Sequence, residues 1–76
     1  MSKQAPYTAE ELVQALRDRQ GVYTLQQYAA EIGISLAMLG QILNGNRSIG
    51  NQKVLDYLAP KGMQYVHEDV WYLRPK

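Results

Sequence analysis

The stretch TLQQYAAEIGISLAMLGQILNG, residues 24–45, decides the fold. Thr24 with Gln27 three residues on has the spacing of a capping box, in which side chain and backbone satisfy each other at a helix start. Tyr28, Ala29 and Ile32 follow at helical spacing, and Gly33 stops the run because glycine enters the positive-φ region that other residues resist. Ser35 is suited to cap a further helix, whose Leu39, Ile42 and Leu43 share one face and whose terminating position is Gly45. The spacing thus predicts two short helices meeting across Gly33-Ile34-Ser35.

Working outward, Thr8 and Glu11 repeat the capping-box pattern, and Leu12, Val13 and Leu16 give one apolar face to a helix over about residues 9–20, closed by Gly21. A fourth helix is predicted at about Asn51–Leu58, with Val54, Leu55 and Leu58 inward and Pro60 beyond its end. The period then changes. MQYVHEDVWYL, residues 63–73, is aromatic and β-branched, which favours extended chain. Two short strands turning near Glu68 and Asp69 fit it. A single strand or a loose arm also fits, since a tight hairpin favours Asn-Gly or Asp-Gly at the turn. The chain divides into a disordered lead at residues 1–6, a helical domain at 7–60 and an extended segment at 61–76 that packs on the domain or forms a dimer contact.

Seventy-six residues make one domain, a size that buries only about 60% of the unfolded surface. A large enclosed active site is not expected. With no cysteine and His67 as the single histidine, neither disulfides nor a zinc site can hold the fold, so no metal or cofactor is expected. His67, Glu68 and Asp69 lie beside no nucleophile or second histidine, and no enzyme is expected. There is no window of 18 apolar residues and no apolar leader, so the expectation is a soluble, cytoplasmic protein. The formal charge is +1, but residues 32–55 carry Arg47, Lys53 and no acid, a stretch that can approach a polyanion without repulsion.

Two short helices around a glycine turn have the geometry of a helix-turn-helix, and residues 24–45 resemble that of the Cro and lambda-repressor family of phage and bacterial regulators. Ala29 stands where the family's two helices touch, Gly33 at its turn, and Ile34, Leu39 and Ile42 at its buried positions. The resemblance spans roughly residues 9–58. It implies a mainly α fold of four or five helices, followed here by the short β-strand or hairpin, and a function as a sequence-specific transcriptional regulator on a double-stranded DNA operator. LNGNRSIGNQKVLDYL, residues 43–58, is similar to the family's loop and next helix, which implies phosphate contacts at Asn44, Asn46, Arg47 and Ser48. Base contacts are implied early in the third helix, where Ser35, Leu36, Ala37, Gly40 and Gln41 are the candidates. The family's phosphate-anchoring glutamine at the start of the second helix is replaced by Leu25, leaving Gln26 and Gln27 beside it as candidates.

Helical geometry supplies its own reading. At about 100° per residue, Ala37, Gly40, Gln41 and Asn44 lie opposite Leu39, Ile42 and Leu43. A small outer face suits a major groove roughly 12 Å wide, where Gln41 can offer a donor and an acceptor to adenine, while Leu36 or Ala37 can touch a thymine methyl. Arg47, Lys53 and the backbone amides of residues 45–48 are candidates to position the helix on phosphates. Such proteins work as dimers on paired half-sites, and the strand edge at 63–74, with Tyr65, Val70, Trp71 and Tyr72, is the candidate homodimer element. A small face of this kind is also suited to another helix or a second protomer, so a protein-binding module on the same scaffold, such as an antitoxin-like or phage regulatory partner, is the alternative.

Overall fold

A computed structural model describes residues 6–76, so all but Pro6 of the expected lead at 1–6 lies outside the described residues. In chain order the elements are α1 (Ala9–Gln20), α2 (Leu25–Ile32), α3 (Leu36–Leu43), α4 (Gln52–Leu58), β1 (Met63–His67) and β2 (Trp71–Pro75). About half the chain is helical, and the two strands form an antiparallel hairpin. Among the described residues no helix is long and apolar enough to cross a membrane.

Local chemistry sets the helix ends. Thr8 with Glu11 and Thr24 with Gln27 form complete capping boxes at α1 and α2. The Ser35 hydroxyl accepts the Met38 amide at 3.1 Å, and Asn51 Oδ1 accepts the amides of Lys53 and Val54 at 2.9 and 3.3 Å. Gly33 ends α2 at φ 94° and ψ 30°, and the amides of Gly33 and Ile34 both donate to the Ala29 carbonyl. Each helix is 7–12 residues long, too short to hold in water by itself. The shared core must supply the rest.

That core comprises Leu12 and Leu16 of α1, Tyr28, Ala29 and Ile32 of α2, Leu39, Ile42 and Leu43 of α3, Val54, Leu55 and Leu58 of α4, and Ile49 from the α3–α4 loop. Val13 and Ile34, expected inside, are half-buried at its margin. Burial of the one large polar side chain is compensated: the Tyr28 hydroxyl donates to the Leu16 carbonyl at 2.6 Å. Desolvation, then neighbouring Tyr57, pushes the Tyr28 phenol far above its ordinary pKa of 10.0, and desolvation, then Tyr7, also raises Tyr65.

Three cations cross between helices. Arg17 donates to the carbonyl of Leu43, the last residue of α3, and Arg19 to that of Tyr57 in the last turn of α4 at 3.2 Å. Lys53 reaches the Gly33 carbonyl at 3.2 Å, just past α2. Each satisfies a carbonyl where helix ends leave orphan acceptors and where the macrodipole favours positive charge.

The hairpin pairs Val66 with Tyr72 and His67 with Trp71 around a three-residue connection, Glu68–Val70. That connection lies where Glu68 and Asp69 suggested a turn, and it settles the choice among hairpin, single strand and arm. Tyr65 and Trp71 pack against the helical core. Strand β2 gains a further neighbour before α1: Tyr7 and Trp71 form an isolated antiparallel bridge, and the Tyr7 ring meets Tyr65 edge-on at 5.3 Å.

Candidate nucleic-acid interface

The site is built on α3. Its inner side is pinned by Leu39, Ile42 and Leu43, all buried, so helical geometry turns Ala37 and Gln41 outward. Both are exposed, as are Ser35 and Leu36, the latter at 48%. Gly40 is half-buried, yet a Cβ built there would meet nothing within 4 Å. The backbone is therefore open to close approach along this side of the helix.

The loop after α3 is folded back onto Gln41. The amides of Asn46 and Arg47 donate to the Gln41 carbonyl at 2.9 and 3.2 Å, and the Gly45 amide to the Ile42 carbonyl at 3.1 Å. Three of the four amides expected to face phosphates, those of Gly45, Asn46 and Arg47, are thus engaged inside the loop. Asn44, Asn46, Arg47 and Ser48 are all exposed. Ser48 Oγ accepts the Gly50 amide at 3.3 Å, and Arg47 Nη1 donates to Gln41 Oε1 at 3.4 Å. Ile49, 2% exposed, anchors the loop from below. Its signal was present in the sequence as the one large apolar residue in the polar run Asn44–Lys53.

The remaining candidates separate by what already holds them. Gln26 is exposed, whereas Gln27 uses Oε1 to accept the Thr24 amide at 3.1 Å and keeps only its Nε2 donors. Lys53 is exposed but leans on the α2 terminus through Gly33. Leu25, the first residue of α2, is exposed.

One acid intrudes on the neighbourhood that the sequence leaves free of acids. Glu10, in the first turn of α1, lines an open cleft with Val13 and the loop residues Asn44–Ile49. Its distance in sequence hid it.

The four candidate dimer residues divide. Tyr65 and Trp71 face their own core, Val70 is exposed at the hairpin connection, and Tyr72 sits half-buried on the opposite side of the sheet. There the Tyr72 hydroxyl donates to Glu68, and Arg74 donates to that hydroxyl at 2.9 Å and pairs with Glu68 at 3.5 Å. His67 lies with its ring 4.5 Å from that of Trp71, tilted by 41°. Compared with family models, with curated proteins and with solved structures, the chain matches none.

Proposed function

We propose that this chain is a DNA-binding regulator in which α2, the Gly33 turn and α3 act as a helix-turn-helix of the Cro and lambda-repressor kind. The observation that carries the reading is the outer side of α3: small and exposed at Ala37, open at Gly40, ending in the exposed amide of Gln41. A face of that form fits the major groove. Ser35, Leu36, Ala37, Gly40 and Gln41 meet base edges, while Gln26, Gln27, Asn44, Asn46, Arg47, Ser48 and Lys53 hold phosphates and fix the register. The protein works in the cytoplasm on an operator, as a homodimer joined through the hairpin, and occupancy alters polymerase access. No reaction, metal or cofactor is assigned to it.

A salt titration of binding to duplex DNA tests the reading. A protomer that neutralises about 3 to 5 phosphates gives a log–log slope of about −3 to −4.5. No affinity for duplex DNA at low salt overturns it.

A second reading has its own observation. Leu25 and Leu36 are exposed at the starts of α2 and α3, and Val22 is wholly exposed in the α1–α2 loop. Apolar side chains there suit a protein partner, whose binding would respond far less to salt than the DNA complex.

A further inference from the structure

The exposed Arg47 side chain meets the amide of Gln41, with Nη1 donating to Oε1 at 3.4 Å. A guanidinium has only donors, so it can face only the oxygen of that amide. The contact therefore selects one of the two flipped orientations of Gln41. The loop reinforces the choice, because the Arg47 backbone amide is itself held on the Gln41 carbonyl at 3.2 Å. Residue 47 is thus tied to residue 41 through both main chain and side chain.

From this pair we infer that Arg47 is a positioning residue for base readout as well as a phosphate contact, holding Gln41 so that its Nε2 donor faces the DNA. The inference rests on the DNA-binding reading above. With Oε1 turned toward Arg47, Gln41 selects a base edge that offers acceptors, foremost guanine with N7 and O6, over the adenine contact that uses both amide groups. Arg47 reaches the backbone phosphates with its remaining donors, so a correct base and a correct register are sensed together.

The test is selection of bound duplexes from a random library with the full chain as wild type, Gln41→Ala, Arg47→Ala, Arg47→Lys and the Gln41→Ala/Arg47→Ala double variant. Wild type is expected to enrich guanine at one position of each half-site. Arg47→Ala relaxes that same position about tenfold, as Gln41→Ala does, in line with the discrimination of one good side chain–base contact. The double variant relaxes it no further. Arg47→Lys keeps the charge and, having only donors, still faces Oε1; it retains overall recovery and restores most of the preference that Arg47→Ala loses. Thermal unfolding of each variant separates this effect from loss of fold, since Arg47 and Gln41 are both exposed. If Arg47→Ala lowers recovery of all duplexes alike and leaves the base preferences intact, Arg47 acts on phosphate alone; the inference falls and DNA binding stands. If wild type enriches no sequence but binds duplex with a steep salt dependence, the inference again falls alone. If it binds no duplex at low salt, both fall.

Discussion

On the outer side of the hairpin, Tyr72, Glu68 and Arg74 answer one another's hydrogen-bonding groups. On the outer side of α3, Leu36 and Ala37 are bare, Gly40 faces open space, and Gln41 is held through Oε1 with its Nε2 donors left over. Both elements press an apolar side onto the same core, so burial does not distinguish them. What differs is the side left in water. Tyr72, Glu68 and Arg74 meet one another within the chain, while α3 presents a small surface on which the Nε2 donors of Gln41 are left to solvent. The contrast supports the proposed reading of α3 as the face that meets another molecule.

The cations show the same division. Arg17 and Arg19 close carbonyls at helix ends and so belong to the architecture, and Lys53 does the same for Gly33 while also standing among the proposed phosphate contacts. Arg47 stands in a loop and touches the exposed end of α3. A charge count treats all four alike. Their acceptors separate them.

The contrast between the two sides of α3 can be broken most forcefully at Leu39, which is fully buried. Leu39→Ala is expected to cost about 2–5 kcal/mol, whereas Gln41→Ala on the opposite side should change stability by no more than about 0.5 kcal/mol. Urea unfolding of the two variants measures the gap, and equal losses would remove the distinction between an inner and an outer side.

Gly33 sets the relation of α3 to α2. At φ 94° an alanine is strained even though its Cβ would meet nothing closer than Lys53 Cδ at 3.9 Å. Gly33→Ala is expected to cost about 1–2 kcal/mol from backbone conformation alone. A melting temperature at or above that of the parent would show that the turn tolerates a side chain.

Alkali sharpens the contrast from the core side. The phenols of Tyr28 and Tyr65 are raised in the folded protein, chiefly by burial. Below pH about 10 they are protonated in both folded and unfolded chains, and their protonation gives no pH dependence. Above it the unfolded chain releases protons first, so stability falls as pH rises. The limiting slope is about 1.4 kcal/mol per pH unit for each such tyrosine. Tyr28→Phe should flatten part of that fall, and denaturant unfolding at pH 9, 10 and 11 reads it. A parent whose stability is constant over that range would contradict the burial.

The smallest effect belongs to the hairpin's outer side. Both members of the Arg74–Glu68 pair are more than half exposed, so Glu68→Ala is expected to cost less than about 1 kcal/mol. Its neighbour Tyr72 should show at most a small loss of order by NMR. A larger loss would make the network part of the fold rather than a finish on its surface.

Much of the helical framework was legible because its signals are local. Thr8 with Glu11, Thr24 with Gln27, and Ser35 act within three residues of themselves, and each caps a helix start as its spacing predicts; Asn51, read as the first residue of the fourth helix, is its cap. The apolar faces of α2 and α3 followed from helical period in the same way. Less of the site was legible. Outward exposure of Ala37 and Gln41 could be read from period, but the inward use of the loop amides and the nearness of Glu10 could not.

The sequence alone determined where this chain bends and caps, because those outcomes depend on residues one turn apart whose backbone preferences and hydrogen-bonding groups are set by their type. Tertiary structure decided the pairings of Arg17 with Leu43, Arg19 with Tyr57 and Lys53 with Gly33, the bridge of Tyr7 to Trp71, and which acid came beside the loop. Those partners lie some 20 to 64 residues apart. No short-range pattern encodes them; they exist only because burying the shared apolar faces brings the helix ends and the hairpin together.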